Sequence, residues 1–414
     1  MSASAEHAAT ASVGEDHPDP DAFDPDTLAA LSGRGGLMEF LFRPPQRVLR
    51  WAQRYLPVLH LGKTSLVLRY DQVREVYDND REFPVPWSER MRRETHGLNF
   101  VLGMARGPDY CQRYRQLADA FPLSDIEPQI ARPTVEITRQ ILDAADSKAF
   151  DAVDQLVHVL PTRLCASYYG IKIDDNARFA KATLAMSAYI FGFSHNPRIA
   201  RLGQQAAAYL RQRIRDSIEN PQGPVLPRLR RSGLSDDEIV AQLIGMVLGF
   251  IPTNVLAGGN ILETLLSHPQ FLAATREAAL AGDDELLWRC LREALRFRHI
   301  NPGLPRSCPA GFRFAAGGGI PPGNKVVPLV QTAVLDPRRV AQPDAFNPRR
   351  GDEEFLSFGV GQHWCIGAYI AQAQLTQMFK LLLRLNDLKA LDRRVRTLRF
   401  NGLFPISLKV RFHR

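Results

Sequence analysis

The chain has 414 residues, a formal net charge of +8 and 45% hydrophobic side chains. That much apolar material excludes a chain disordered from end to end and supplies a substantial core. The arginines are spread along the whole sequence instead of clustering among aromatics, which argues against a nucleic-acid binder.

In chain order, Met1 to Asp26 is rich in Ala, Ser, Asp, His and Pro and predicts a disordered tail, with 1–35 as its extent. It lacks the basic start and apolar core of a signal peptide. No composition break or internal repeat divides the rest, so residues 36–414 read as one unit. Val58 to Tyr70 is β-rich and broken at Gly62-Lys63, which predicts a hairpin at a sheet edge. Helices are expected at about 107–120, 128–145, 152–169, 175–192, 202–219 and 236–266. Glu293-Ala-Leu-Arg296 lies on a further helical stretch, so its two charges share a face. Gly317 to Gly323 marks a turn before a short strand at 325–331, and an irregular, proline-punctuated stretch follows. The fold class is therefore mostly α with small β-sheets. Five scattered cysteines fit a reducing cytoplasm better than a disulfide framework. No uninterrupted apolar run approaches the ~20 residues of a membrane span, so no membrane anchor is expected and the location is read as cytoplasmic.

The most informative segment is Phe358-Gly-Val-Gly-Gln-His-Trp-Cys-Ile-Gly367. Gly359 and Gly361 permit positive φ and let the backbone lie against a planar ligand. Cys365 stands just before Ile366 to Leu385, a run with helical spacing whose N-terminal end stabilises a thiolate. His363 is suited to an anionic group on the same ligand. A thiolate bound axially to haem iron favours O–O cleavage on the opposite face.

This loop resembles the haem-binding signature of the cytochrome P450 family, Phe-Gly-x-Gly-x-(Arg/His)-x-Cys-x-Gly, at every fixed position from Phe358 and Gly359 through Gly367. The resemblance implies the mostly helical P450 fold, haem b (iron protoporphyrin IX) as cofactor and Cys365 as iron ligand. It implies Arg115, Arg306 and His363 on the haem propionates, Arg115 being the last residue of the family's His/Trp-x-x-x-Arg pattern, with Cys111 departing at its first position. It makes Glu293, Arg296 and Arg350 a buried structural triad.

The central helix departs from the family's Ala/Gly-Gly-x-Asp/Glu-Thr. Here the sequence reads Gly249-Phe-Ile-Pro-Thr-Asn254, with Thr253 at the alcohol position and Pro252 at the acid; a slip of one residue places Pro252 on the alcohol. A proline frees the carbonyl four residues earlier, that of Leu248, which is placed to hold water while Thr253 and Asn254 orient oxygen or substrate. The expected activity is monooxygenase-like oxidation of a small organic substrate, with electrons from a ferredoxin or flavodoxin. A reductase-independent peroxygenase or hydroperoxide-rearranging enzyme is the alternative, and a non-catalytic haem binder the second. Phe250, Arg298, His299 and Phe404 are the expected substrate contacts. Tyr189 to Phe193 is the expected aromatic roof, Phe400 and Leu403 add to the last wall, and the stretch Trp87 to Phe100, unusually polar from Arg90 to His96, is a candidate loop over the pocket. Arg338, Arg339 and Arg349 form a candidate basic patch for an acidic electron donor, with an ordinary solvated surface as the other reading.

Overall fold

The computed structural model describes residues 18–28, 46–192, 196–391 and 398–414. The longer helices are α1 (Gln46–Tyr55), α2 (Tyr70–Asp78), α3 (Ser88–Glu94), α4 (Pro108–Ala120), α5 (Arg132–Ala144), α6 (Asn176–Phe191) and α7 (Pro197–Glu219). They continue with α8 (Val225–Arg231), α9 (Asp236–Ser267), α10 (Pro269–Ala281), α11 (Asp284–Phe297) and α12 (Ala368–Arg384). Residues 153–169, expected as one helix, form an irregular helical run in which wide turns flank Val159–Leu164.

The main sheet has the order β1 (Val58–Leu61), β2 (Thr64–Val67), β7 (Asn324–Pro328), β4 (Arg306–Cys308). The hairpin β1–β2 is antiparallel, with Gly62 at φ +59° in its turn. β7 runs parallel to β2 and antiparallel to β4, which brings Arg306 into register with Val326. β3 (Phe150–Asp151), β11 (Lys409–His413) and β8 (Asn386–Ala390) make a second small sheet. Two pairs complete the strands: β5 (Phe312–Arg313) with β6 (Gly319–Ile320), and β9 (Arg399–Asn401) with β10 (Phe404–Ser407).

The axis of the core is α9. Ser235 and Glu238 form a capping box at its start, and three acidic residues fill its first turn, so its free N–H groups and positive end are both satisfied. It is apolar on nearly every side because helices surround it. It is the one helix among the described residues long and apolar enough to cross a membrane, and 89% of its most apolar window is buried within the protein.

A buried charge cluster fixes the approach to the Cys loop. Arg296 donates to both Glu293 oxygens at 2.8 and 2.7 Å, and Arg350 Nε donates to Oε1 at 3.0 Å. The remaining guanidinium N–H groups are met by the carbonyls of Val334, Ala341, Pro343 and Ala345, among others. This dense pairing is what makes a fully buried ion cluster tolerable. It ties α11 to the irregular stretch that leads to Phe358.

Residues 18–28, read as part of a disordered tail, are folded against α6 and α7, because Phe23 is a bulky apolar side chain in an otherwise polar segment and is only 2% exposed. The rest of that predicted tail lies outside the described residues.

Candidate active site

A cavity of about 310 Å³ lies between α9 and the Cys loop. Cys365 is the cysteine in its wall, and Phe358, Gly359 and Gly367 line it beside the sulfur. The loop is shaped by its own backbone: Cys365 N–H donates to Phe358 O at 2.9 Å, and Gly359 and Gly361 take φ of +73° and +64°. Gly361 serves a different purpose from the one its spacing suggests. A Cβ there would collide with Asp78 Oδ1, so the glycine lets α2 approach the loop.

Burial raises the Cys365 thiol to about 11, and the Gly367 N–H, which pulls it down, does not compensate. The expected depressed thiolate is therefore not a property of the loop alone; a thiolate here requires a cation against the sulfur. Among the described residues no group of three His, Cys, Asp or Glu side chains is arranged to hold a metal ion. A single thiolate on an iron already held by a porphyrin matches that donor set.

Arg306 fits the same reading. It is 2% exposed, lines the cavity, and donates from one terminal nitrogen to Pro305 O at 3.0 Å, while its buried Nε has no partner. Its guanidinium lies 4.9 Å from the Tyr77 ring centre and 5.4 Å from that of Trp87. A buried guanidinium with so little pairing calls for an anion, and a propionate is one. Opposite, on α9, a Cβ on Gly249 would meet nothing within 4 Å, so the helix leaves room there for a flat group.

His363 lines the cavity as expected but is not a cation. Burial and the charge of Arg306 outweigh the Asp80 carboxylate, 3.5 Å from Nε2, and hold the ring down to about 4. It is available as a neutral donor. Arg115 does not reach the site: it is exposed on the outer face of α4. The cavity face of that helix carries Tyr110 and Tyr114, four residues apart, with Tyr110 donating to Gln362 O at 2.5 Å. These tyrosines occupy the two positions at which the pattern suggested Cys111 and Arg115. The signal that finds them is the spacing 110, 114, 117, 121, which marks the inward face.

The central helix runs unbroken through Pro252, and Pro252, Thr253 and Asn254 all line the cavity. Thr253 Oγ1 donates to Gly249 O and, at 3.3 Å, to Phe250 O; Asn254 Nδ2 donates to Phe250 O at 2.8 Å. Pro252 has no N–H for the Leu248 carbonyl, and Leu248 is also in the wall. Among the described residues no Asp or Glu lines the cavity.

The substrate wall is partly as expected. Phe250, His299, Leu403 and Phe404 line it. His299 Nδ1 lies 2.8 Å from Asn301 O, which puts the proton on Nδ1, and burial lowers the ring to about 4. Arg298 does not take part: it pairs with Glu263 and lies over the Phe400 ring, and neither Arg298 nor Phe400 lines the cavity. Phe191 supplies roof, but Tyr189 packs under the Arg90 guanidinium outside the cavity, and Phe193 lies outside the described residues. Of the stretch Trp87 to Phe100 only Phe100 lines the cavity; its polar residues do not, since Arg90 donates to Tyr189 O and Glu94 pairs with Arg211.

Comparisons agree with this geometry. The family described as Cytochrome P450 matches residues 225–407. The chain is 28% identical over 368 residues to an erythromycin C-12 hydroxylase of Saccharopolyspora erythraea, covering 84% of this chain and 87% of that one. It is 29% identical over 345 residues to the cytochrome P450 monooxygenase PikC of Streptomyces venezuelae, covering 79% of each. Among solved structures, the open cytochrome P450 EryK of S. erythraea superposes with a TM-score of 0.74 at 25% identity over 90% of this chain and 97% of that one. CalO2 superposes with a TM-score of 0.77 at 22% identity, over 90% and 96%.

Proposed function

We propose that Cys365 would ligate the haem iron and that the cavity between the Cys loop and α9 is the active site, on the premise that this chain belongs to the cytochrome P450 family as a P450-type monooxygenase with haem b as its cofactor. The observation that carries this reading is the meeting, in one apolar cavity, of its single lining cysteine and an underpaired buried guanidinium. Haem, when bound, supplies the iron at which oxygen is activated.

The chain's own residues then divide the work. Arg306 would neutralise a propionate, and Tyr114 and neutral His363 would offer it uncharged donors, while Tyr110, whose hydroxyl donates to Gln362 O, holds the Cys loop to α4. Thr253 Oγ1 is the hydroxyl able to release a proton inside the cavity, and the Leu248 carbonyl left free by Pro252 holds the water that replaces it. Phe250, Phe404 and Leu403 exclude bulk water and favour a neutral, mainly apolar organic substrate, oriented against His299. The named activities of the relatives support hydroxylation as the reaction. Electrons come from a ferredoxin or flavodoxin. Arg349 remains exposed for such a partner, whereas Arg338 and Arg339 are occupied by Asp336 and Asp71, so the patch is weaker than its charge suggests. A cytoplasmic location suits that electron supply.

Among the described residues no carboxylic acid lines the cavity, which favours a second reading, in which peroxide brings the O–O bond already reduced. A panel of neutral ring compounds, offered with hydrogen peroxide alone or with ferredoxin, ferredoxin reductase and NADPH, separates the two. Product only with the electron chain is expected; product with peroxide alone would replace the first reading by the second. Pro252→Asp should raise the oxygen-driven rate relative to the peroxide-driven one, and an unchanged ratio would remove Pro252 from the proton path.

A further inference from the structure

Residues 18–28 precede every element that builds the cavity, yet they reach its wall. Two turns stiffened by their own side chains shape the segment. Asp19 accepts from Asp21 N–H at 2.9 Å, and Asp24 accepts from Asp26 N–H at 2.9 Å and from Thr27 Oγ1 at 2.8 Å. Between them Phe23 is buried and stacks on Tyr209 of α7, ring centres 6.0 Å apart. Arg178 of α6 donates to the carbonyls of Asp21 and Phe23 at 3.2 and 3.1 Å, and its guanidinium lies 4.8 Å from the Tyr209 ring centre. Leu28 packs in a cluster with Leu184 of α6, Leu256 of α9 and Phe404 of β10. Leu256 and Phe404 line the cavity, and so do Ser187 and Phe191 at the far end of α6.

The segment thus bridges α7, α6 and the cavity wall. Its ion pair at the surface, Lys181 to Asp26 at 3.1 Å, is exposed and contributes little, so the apolar anchors and the Arg178 hydrogen bonds carry the attachment. α6 and α7 respond to it as a pair, because Tyr189 sits so closely on Gly203 that a Cβ there would collide with it.

We propose that Pro18–Leu28 is a strap that holds α6 and α7 against the cavity wall and so sets how fast organic ligands reach and leave the active site, with Phe23 and Leu28 as its positioning residues. This rests on the assignment of the cavity as a haem site. The test uses the full-length holoprotein and Phe23→Ala. Stopped-flow measures association and dissociation of clotrimazole, an azole whose nitrogen ligates haem iron and shifts its absorption. Hydrogen exchange follows the amides of 184–191. Both azole rates should rise on the order of tenfold, with the ferrous carbon monoxide spectrum unchanged and exchange in α6 accelerated. Equal rates and equal exchange would overturn the strap. Should Phe23→Ala fail to fold, Arg178→Met and deletion of residues 1–28 must show the same acceleration, whereas Asp26→Asn must not. Failure of the haem assignment is distinguishable: the wild type itself would then show no thiolate-type carbon monoxide spectrum, and exchange in α6, which needs no haem, would still decide the strap.

Discussion

A guanidinium as buried as that of Arg306, with an unpaired Nε, is expensive to the apoprotein and useful to the holoprotein. Arg306→Met removes the one full positive charge that the described residues place in the cavity wall. Losing a charge-assisted contact of about 1.5–3 kcal/mol should speed haem transfer to apomyoglobin by roughly ten- to a hundredfold. An unchanged transfer rate would place the propionates elsewhere. His299 makes a prediction about pH. Its ring is held down to about 4 in the folded protein against an ordinary 6.5, so between those values the unfolded chain binds a proton that the folded one refuses. Stability is therefore lost as pH falls from 6.5 towards 4, by up to ~3 kcal/mol for this group. His299→Phe should flatten that part of the fall in unfolding midpoint; an identical pH profile would mean the ring is not buried as a neutral base. At this scale the sequence was informative wherever a role depends on near neighbours, as in the Cys loop. It misled at Arg115, where one residue of register is about 100° around a helix and decides inside from outside.

Among the elements, α9 and the Glu293 cluster are the two that hold the site in place. Proline in a helix interior ordinarily costs ~3 kcal/mol, and Pro252 forfeits the N–H that Leu248 O would accept. Pro252→Ala restores the donor and should raise the unfolding midpoint by the equivalent of roughly 1–3 kcal/mol. A lower midpoint would show that the packing around the ring outweighs the lost bond. Glu293→Gln removes the carboxylate facing Arg296 and Arg350, leaving two buried guanidinium groups without their counter-charge. A loss of about 3–5 kcal/mol is expected in denaturant unfolding. The helices were legible because apolar spacing and caps are local. The partners of Arg298 were not: Glu263 lies on α9 and Phe400 on β9, and only the fold brings them together.

For the whole molecule, the order of elements follows from the sequence, but two features depend on packing over long distances. The N-terminal segment has a polar composition, and its few apolar side chains, Phe23 and Leu28, pack against distant elements. The net charge of +8 suggests steering of an acidic electron donor, yet Arg338 and Arg339 spend their charge on carboxylates of the same chain. What remains is a diffuse field. Reduction by an acidic ferredoxin should slow as salt is raised, in the on-rate and only modestly. The claim on which all of this depends is that Cys365 ligates the haem iron. It is tested most directly by the ferrous carbon monoxide spectrum of the wild type beside Cys365→Ser: a thiolate-type band in the former, lost in the latter, is predicted. The same band in both proteins would contradict the account.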